Sequence, residues 1–489
     1  MPLVDERGAP IRPPEVQSAF YSFDLEASGG IVTQTTERQT TGRSRGISYQ
    51  QLLDTDTHPV PTCLREESAP YLGEHDVPVA YYTERHYHEL EKEKLWARVW
   101  QFACREEHIP QPGDTYVYDI AGRSYLIVRG EDNQIRAYPN ACLHRGRQLR
   151  DQPSRVRELR CSFHGFCWNL DGSLAQIPCE WDFPQVDRAS FNLPRVKVGI
   201  WAGFVFINPD PNCEAFEDYI GVLPTQFERW DLASRFVEVH VAKRIAANWK
   251  IAQEAFSEAF HVVATHPQLL PGIGDANSQY DVWGNVSRAI TPNGTPSPHL
   301  SWVPTEQEMF DSMVDRRLDE EPVLEIPDGM TARELSAKAS REALRPLVGD
   351  AIDEFCDAEL ADSLDYSLFP NFHPWGAFNR IVYRFRPNGD DHRSCIMECL
   401  YLSPFSGDRP PPAQIHWLDF DQDWMEADEL GSLARVFDQD SFNMPKVMSG
   451  LLSTAKPGIT LGLYQESKLR QFYNQLEEYF DDDKEAADD

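Results

Sequence analysis

Two cysteine–histidine pairs lie close together in the first half of the sequence. Cys142 and His144 are separated by one residue, Cys161 and His164 by two, and 16 residues lie between the pairs. Two short loops that each offer one thiolate and one imidazole can close around a compact metal centre. Four nitrogen and sulfur ligands suit tetrahedral zinc, whereas a two-iron, two-sulfur cluster can take two cysteines on one iron and two histidines on the other. The Cys–His pairing within each loop favours the cluster and leaves structural zinc as the alternative.

A second group of candidate ligands lies downstream in the segment NWKIAQEAFSEAFHVVATHP. This segment has a helical pattern, and helical spacing places Glu254, Glu258 and His261 on one stripe. Pro267 pushes His266 out of helical geometry, so its imidazole can turn back towards His261. Two histidines completed by a carboxylate suit a mononuclear iron with open positions for oxygen. Two helical histidines alone are more often core residues, so the assignment depends on the first motif.

The first motif resembles the Rieske cluster motif of the large (alpha) subunits of Rieske non-heme iron oxygenases, of the aromatic-ring-hydroxylating dioxygenase type. The iron motif of that family, a carboxylate-x-x-His-x-x-x-x-His sequence, is matched by Glu258, His261 and His266. The chain departs from the family at Phe163 and Phe166, where Tyr and Trp are usual around the His-Gly pair. It also carries Glu258 where most members have Asp.

The resemblance implies two cofactors, a Rieske [2Fe-2S] cluster and a mononuclear non-heme Fe(II). The implied cluster ligands are Cys142, His144, Cys161 and His164. The implied iron ligands are His261 and His266. Glu258 is implied to be a bridge rather than a ligand, and to link the iron to the cluster of a neighbouring subunit.

The third iron ligand is expected far along the chain. The family has a late Asp followed ten residues on by Gly, and Asp440 and Gly450 fit that spacing. Pro445 and Met448 stand where Glu and Gln are common, so this part of the match is weaker. Asp438 is the alternative ligand, and either aspartate could instead cap a helical turn.

The composition excludes several classes of protein. Against 46 Lys and Arg the chain has 78 Asp and Glu, a formal net charge of −32, which argues against nucleic-acid binding. The longest apolar run, 198–207, is half of the about 20 residues that a membrane span needs, and it predicts one buried strand. The acidic, proline-rich start does not resemble a signal peptide, which predicts a cytoplasmic protein.

The order of patterns predicts an α+β fold. We expect an N-terminal all-β Rieske domain and a C-terminal catalytic domain with an antiparallel sheet flanked by helices. The region 306–365 is acidic and helical in pattern, and its position between the two catalytic blocks suggests a lid. The predicted divisions are an extended arm at 1–75, the Rieske domain with a leading helix at 76–209, the catalytic domain at 210–480 and an acidic tail at 481–489.

The resemblance implies a terminal oxygenase that activates O2 with external electrons and mono- or dihydroxylates an aromatic or other hydrophobic substrate. N- or O-demethylation is the first alternative, and a Rieske electron-transfer protein without oxygenase activity is the second. A zinc-stabilised binding module is a third. The residues that could line an apolar pocket are Phe256, Phe260, Phe369, Phe372, Trp375 and Phe378.

The expected partners supply electrons or complete the assembly. The chain has no G-x-G-x-x-G nucleotide fingerprint, so a ferredoxin, an NAD(P)H-dependent reductase or both are implied. The family implies a head-to-tail homotrimer (α3), or α3β3 with a small beta subunit. We expect neither nucleic acid nor membrane as a partner. Six arginines could form a docking patch for an acidic electron donor around the cluster loops: Arg145, Arg147, Arg150, Arg155, Arg157 and Arg160.

Overall fold

A segment with little regular structure precedes the first sheets. The computed structural model describes residues 44–313 and 324–481, so most of the predicted arm and residues 482–489 of the predicted tail lie outside the described residues. The first elements are α1 (Tyr49–Leu53), α2 (Thr62–Arg65), β1 (Val77–Pro78), α3 (Ala80–Thr83) and α4 (Arg85–Leu90). A π-helical turn, Glu91–Leu95, completes the leading helix predicted from Tyr81.

The described part of the predicted arm is not an extended tail. Its residues from 44 to 75 bury Tyr49, Leu53 and Leu64 in the main hydrophobic core of the chain. The helix α1 begins with a capping box in which Ser48 and Gln51 exchange hydrogen bonds. Polar contacts with the second half of the chain also dock this segment, among them those of Asp56 with Arg333 and of Thr57 with Asp357. So few apolar residues give no periodic pattern in the sequence.

Three small antiparallel sheets follow and confirm the β-rich prediction for this region. Their orders are β10-β11-β2, β5-β4-β3-β6 and β7-β8-β9. The strands are β2 (Gln101–Arg105), β3 (Asp114–Ile120), β4 (Arg123–Arg129), β5 (Ile135–Pro139), β6 (Ser154–Arg155), β7 (Leu159–Arg160), β8 (Cys167–Trp168), β9 (Leu174–Gln176), β10 (Lys197–Trp201) and β11 (Phe204–Asn208).

The prediction of one buried strand over 198–207 is wrong. The run folds back on itself as β10 and β11, which pair antiparallel. Between them Ala202 and Gly203 have φ values of 50° and 80°, the left-handed conformation that a tight hairpin turn requires. The uniformly apolar sequence hid this turn, because neither strand alternates with polar residues: β11 is buried throughout, and the edge strand β10 is apolar even at Ile200, which is 45% exposed.

The second half of the chain is built on two further sheets. Its strands are β12 (Arg235–Ile245), β13 (Gln279–Trp283), β14 (Val286–Thr291), β15 (Ser363–Leu368), β16 (His373–Pro374), β17 (Ile381–Asn388), β18 (Asp391–Pro404), β19 (His416–Leu418) and β20 (Gly458–Ile459). Its helices are α5 (Phe216–Tyr219), α6 (Leu223–Gln226), α7 (Trp249–Glu254), α8 (Val262–Thr265), α9 (Glu306–Met313), α10 (Ala332–Val348), α11 (Asp357–Ala361), α12 (Leu433–Leu451) and α13 (Ser467–Asp481). The orders of the sheets are β16-β17-β18-β12-β19 and β13-β14-β15. All their pairs are antiparallel except β12 with β19, which is parallel. The α+β class is therefore confirmed, with helices around a mainly antiparallel sheet. Among the described residues, no helix is both long and apolar enough to cross a membrane.

The two halves share most of their core. The sheet β10-β11-β2 contributes Phe102, Phe204 and Phe206, whose rings surround Phe372 of the second half at centroid distances of 4.7–5.2 Å. A separate, smaller core lies beneath the cysteine–histidine loops and includes Leu126 and Trp168. The predicted domain boundary between residues 209 and 210 therefore stays a prediction, because the main core contains residues from both sides of it.

Candidate functional site

The two cysteine–histidine loops have the same backbone conformation. The N–H of Cys142 donates to the carbonyl of the fifth residue along, at 2.8 Å, and the N–H of Cys161 makes the equivalent bond, also at 2.8 Å. The fourth residue after each cysteine is a glycine, Gly146 or Gly165, whose N–H returns to the cysteine carbonyl at 2.8 and 3.0 Å. Both glycines have positive φ, 77° and 78°, which favours Gly over any other residue. The two loops therefore differ only in the position of the histidine, which is the second residue after Cys142 and the third residue after Cys161.

The loops present thiols inwards and imidazoles outwards. Cys142 and Cys161 are 3% and 2% exposed, whereas His164 is exposed and His144 is half-buried. The two imidazole rings lie edge to face with centroids 4.7 Å apart. Burial raises the pKa of the Cys142 thiol, while backbone N–H groups, among them that of His144, lower it. Such N–H groups are suited to stabilise a thiolate ligand.

These four donors fit a two-iron cluster better than one ion. Among the described residues, no three of them bring ligand atoms within 4.8 Å of one another, whereas tetrahedral zinc would hold all four about 3.5–4 Å apart. His144 Nδ1 is buried and has no hydrogen-bond partner, as a nitrogen reserved for a metal would be. The geometry therefore disfavours the zinc alternative.

A second group, formed by His261, His266 and Asp440, does meet at one point. Asp440 Oδ1 lies 2.9 Å from His266 Nε2 and 3.5 Å from His261 Nε2. His266 and Asp440 are buried, and the His261 side chain is 25% exposed. Two imidazole nitrogens and one carboxylate around a partly open point suit a mononuclear iron.

Both imidazoles are oriented through their second nitrogen. His261 Nδ1 lies 2.9 Å from Glu258 Oε1, and His266 Nδ1 lies 2.8 Å from Gln439 Oε1. An acceptor at Nδ1 keeps the proton there and leaves Nε2 free to bind a metal, the usual arrangement around metal-binding histidines. Burial lowers the pKa of His261, but the bond to Glu258 and the negative charges nearby outweigh it and raise the pKa.

The local fold differs from the predicted continuous helix. Helix α7 ends at Glu254, and Glu258 lies in an irregular turn where its Oε2 accepts the N–H of His261 at 2.9 Å. The expected stripe of Glu254, Glu258 and His261 is therefore wrong, because the side chain of Glu258 caps a new turn instead of extending the old helix. The prediction for His266 is confirmed, since it ends α8 with φ −127° and ψ 53° immediately before Pro267.

Glu254 belongs to a different environment. It is half-buried and accepts hydrogen bonds from the hydroxyls of Tyr82, at 2.7 Å, and Tyr473. Burial raises the pKa of Glu254 to about 7. Its side chain is therefore directed to the packing between α3, α7 and α13, and not to the triad.

The choice between the two late aspartates is decided by their contacts. Asp438 accepts the backbone N–H groups of Trp424 at 2.7 Å and Met425 at 3.2 Å, so it caps a short helical turn. Asp440 faces the two histidines. Asp440 is the candidate ligand, as predicted.

Most of the arginines near the loops are already engaged within the chain. Arg155 pairs with Asp114 at 2.6 Å and Arg160 pairs with a neighbouring glutamate at 2.7 Å. Arg145 lies over the ring of Phe163, and Arg157 is exposed. The predicted docking patch is thus reduced mainly to Arg145 and Arg157.

The predicted aromatic pocket is mostly not assembled. Phe372 lies in the core between the two halves, Phe369 packs on α13, and Phe378 packs against Phe355. Phe260 is 46% exposed. Phe256 lies beside the triad, where it joins Tyr383, Phe385 and Phe437 in a layer of rings that we call the aromatic layer. Sequence reasoning missed Gln439 and the rings at 383, 385 and 437, because nothing in their spacing relates them to the histidines.

Comparison with known families identifies both halves of the chain. Residues 99–187 match the Rieske [2Fe-2S] domain, and residues 225–482 match the ring hydroxylating alpha subunit (catalytic domain). The second match covers more than half of the chain. The chain belongs to the ring-hydroxylating alpha-subunit family. Proteins of this family combine a Rieske cluster with a mononuclear non-heme iron, so the two predicted cofactors are confirmed at the level of the family.

Relatives of known activity share part of this sequence. The carnitine monooxygenase oxygenase subunit of Escherichia coli is 34% identical over 200 residues, which cover 39% of this chain and 52% of the relative. The glycine betaine monooxygenase oxygenase subunit of Pseudomonas aeruginosa is 29% identical over 197 residues, which cover 40% of this chain and 45% of the relative. The chain thus spans about half the length of the curated relatives it matches.

A solved structure extends the likeness of fold over most of the chain. The quaternary ammonium Rieske monooxygenase CntA in complex with L-carnitine has a TM-score of 0.56 and 18% sequence identity, and the alignment covers 82% of this chain and 95% of that protein. The identity is too low to transfer more than the fold.

Proposed function

We propose that this chain is a Rieske-type terminal oxygenase whose iron is bound by His261, His266 and Asp440. The observation that carries the proposal is the meeting of two Nε2 atoms and one carboxylate oxygen at one partly open point. We assign the [2Fe-2S] cluster to the paired loops, through the ligands Cys142, His144, Cys161 and His164. Iron bound at the triad would supply the activation of O2, and the cluster would supply electrons.

The chain's own residues prepare the triad for this role. Glu258 and Gln439 hold the Nδ1 protons of the two histidines, so neither imidazole has to rotate or change tautomer to bind iron. The side chain of Glu258 is 10% exposed. We propose that Glu258 also receives the edge of a neighbouring subunit's cluster histidine, as the family resemblance implies. This role requires an oligomer, for which we propose the homotrimer.

The electron donor is proposed to be a ferredoxin, a reductase or both acting in sequence. The exposed His164, together with the exposed side chains of Arg145 and Arg157 in the same loop region, supports docking of an acidic redox protein.

For the substrate we propose a methylated ammonium compound instead of an arene. The two relatives described above are named for carnitine and glycine betaine. Hydroxylation of a carbon bonded to the ammonium nitrogen would use O2, two electrons and two protons and release one water. The resulting carbinolammonium collapses to a tertiary amine, an aldehyde and a proton, and this cleavage of the C–N bond corresponds to the demethylation-type alternative.

Glu258→Gln tests the proposal most directly. The amide keeps the size of the side chain but removes the charged acceptor, so we expect both metals to stay bound while O2 consumption coupled to product falls by about 100-fold or more. The assay supplies a reductase and a panel of carnitine, glycine betaine and aromatic compounds, and measures amine and aldehyde products. Glu258→Asp, which keeps the charge, is the matched control and should retain part of the activity.

Two results would contradict the proposal. Full coupled activity of Glu258→Gln would remove the bridging role. Purified protein without the visible absorption and rhombic paramagnetic signal of a reduced Rieske cluster would remove the oxygenase assignment itself.

A further inference from the structure

Near the triad lies a buried aspartate, Asp275, with an unsatisfied carboxylate. Asp275 is 0% exposed, and neither of its side-chain oxygens has a hydrogen-bond partner among the described residues. His299 Nε2 lies 4.0 Å from Asp275 Oδ2, which is too far for a hydrogen bond. A buried charge without partners is costly, and most buried polar atoms in native proteins are hydrogen-bonded. The carboxylate of Asp275 therefore indicates a donor that comes from outside the chain.

Two neighbouring segments hold Asp275 and His299. Residues 270–275 and 292–299 are joined by backbone hydrogen bonds of 2.8–3.0 Å, which the N–H groups of 274, 294 and 297 donate. Ser297 Oγ accepts the backbone N–H of His299 at 3.1 Å and fixes the turn before the imidazole. Asp275 and His299 are therefore brought together by the pairing of their backbones and not by a hydrogen bond between their side chains.

The same two segments pack on the loop that carries the triad. Leu270 and Leu300 belong to one small hydrophobic cluster with Val262. Val262 directly follows His261 in the sequence. The two segments thus form one side of the candidate iron site, and Asp275 lies on that side.

The charge of Asp275 also acts on the triad. Burial lowers the pKa of His261, and Asp275 is one of the carboxylates that together outweigh this effect. Burial raises the pKa of Asp275, whereas the nearby hydroxyl of Ser297 and the charges of His299 and His261 lower it. A ligand bound to Asp275 would therefore lie close to the candidate iron ligands.

The chemistry of this carboxylate selects among possible ligands. An ionised carboxylate has two acceptor oxygens and no donor, so it repels anions and is stabilised by N–H groups that carry positive charge. A quaternary ammonium group has the charge but no N–H. A protonated tertiary or secondary amine has both. A site whose polar groups await a donor discriminates strongly against an analogue that lacks that donor.

Access to Asp275 from solvent passes one side chain. The side chain of His299 is 38% exposed. Within the ranges that the structure describes, the imidazole of His299 makes no hydrogen bond closer than its 4.0 Å approach to Asp275. The ring can therefore turn outwards without breaking a hydrogen bond, and its rotation would open the carboxylate to a ligand.

We propose that Asp275 is a specificity-determining residue that accepts the N–H group of a protonated tertiary or secondary amine. The chain would then demethylate amines that retain an N–H group in preference to quaternary ones. The inference rests on the proposed function and departs from the named relatives, since carnitine and glycine betaine are quaternary. Such an amine is also what the demethylation of a quaternary compound leaves.

The proposed step is the removal of one N-methyl group from this amine. It consumes O2, two electrons from the proposed donor and two protons. One oxygen atom enters a C–H bond of the methyl group, and the other leaves as water. The C–N bond of the hydroxymethyl ammonium then breaks while its O–H proton passes to nitrogen, which releases formaldehyde and an amine with one methyl group fewer.

Binding to the cluster- and iron-loaded protein, without O2 or reductant, tests the role of Asp275. Isothermal titration at neutral pH compares N,N-dimethylglycine with glycine betaine and N,N-dimethylethanolamine with choline, two pairs that differ only by N–H in place of an N-methyl group. We expect the N–H member of at least one pair to bind about tenfold or more tightly. Asp275→Leu should reduce this ratio to about twofold or less, and Asp275→Asn, which keeps one acceptor, should give an intermediate ratio.

Thermal unfolding separates this role from a structural one. Since no donor in the described chain depends on Asp275, the melting temperature of Asp275→Leu should equal or exceed that of the wild type. Asp281 is the matched control, because it is a buried aspartate that pairs with Arg288 at 2.6 Å. Asp281→Asn should lower the melting temperature and keep the preference for N–H. His299→Gln should change neither.

Each outcome bears on Asp275 separately from the oxygenase assignment. A preference for N–H that depends on Asp275, without formaldehyde when reductase and O2 are supplied, supports the inference and rejects the proposed function. Formaldehyde from both members of a pair that bind equally overturns the inference and leaves the oxygenase intact. A lower melting temperature of Asp275→Leu overturns it, and so does the failure of all four amines to bind.

Discussion

The two candidate metal centres are built in opposite ways. The cluster loops hold their four donors within residues 142–164, and each loop closes on itself through backbone hydrogen bonds around a glycine. The triad joins His266 to Asp440, a separation of 174 residues, and depends on the packing of α12 against α7. The position of the cluster is therefore encoded locally, whereas the position of the iron is a property of the tertiary structure.

The hydrophobic cores show the same difference between a local arrangement at the loops and a long-range arrangement at the triad. The small core beneath the loops is distinct from the main core. Phe437 and Met444 of α12, on either side of Asp440, belong to the main core. A change in packing should therefore disturb the triad more readily than the loops.

The largest expected effect is that a substitution at one candidate metal centre removes the metal there and leaves the metal at the other centre in place. Cys142→Ser should remove the cluster and leave the mononuclear iron, so iron falls from about three to about one per chain. Asp440→Ala should do the reverse and leave about two. Metal analysis and the paramagnetic signal of the reduced cluster measure both. Loss of both metals in either variant would show that the centres are not independent.

A smaller effect is expected from the group that orients His266. Gln439→Leu removes the acceptor at Nδ1 and should weaken iron binding by about 10- to 100-fold without changing the cluster signal. Gln439→Glu keeps an acceptor and should restore most of the affinity. The amide of Gln268 donates to Gln439 Oε1 at 2.9 Å and accepts from Gln439 Nε2 at 3.5 Å, so it acts on the imidazole only through Gln439, and Gln268→Leu should have a lesser effect. Equal affinities in Gln439→Leu and the wild type would contradict the orienting role.

Gly146 and Gly165 occupy equivalent positions, so the same substitution in each loop compares how strongly the two loops constrain the cluster. Both have left-handed backbone, so Gly146→Ala and Gly165→Ala should each cost about 1 kcal/mol. A Cβ at Gly165 would also lie 3.2 Å from Pro178, whereas Gly146 has open space. The temperature at which the visible absorption of the cluster bleaches should therefore fall further for Gly165→Ala. The opposite order would mean that the first loop is the more constrained.

The smallest effect concerns docking of the electron donor. Arg157 is exposed and Arg155 is paired with Asp114. Arg157→Glu should slow reduction of the cluster by an acidic ferredoxin roughly two- to fivefold at low salt and less at high salt. Arg157→Gln removes the charge without reversing it, so its cluster should be reduced at a rate between those of Arg157→Glu and the wild type. Rates that do not depend on salt would exclude electrostatic docking at this loop.

Local features were the easier ones to predict from the sequence. The spacing of the two cysteine–histidine pairs indicated two short loops, which the structure contains, and Pro267 correctly indicated the turn at His266. The assignment of the four side chains as cluster ligands stays a prediction. Asp440 was predicted from family spacing, and only its tertiary contacts separate it from Asp438.

The remaining features depend on contacts that no local pattern records. The helix stripe through Glu258 failed because a side chain caps a new turn, which helical periodicity does not include. The predicted aromatic pocket failed because Phe369 and Phe372 are as apolar as any pocket residue but lie in the core.

The sheet β10-β11-β2 determines where this chain could be recombined with a relative. Its phenylalanines surround Phe372, so the sheet belongs structurally to the catalytic half although it flanks the cluster loops in sequence. A chimaera that imports a foreign cluster lobe should exchange the segment between β2 and β10 and keep both strands from the host. Crossovers placed after β11 would instead pair a foreign face with the host's Phe372 and leave the main core mismatched.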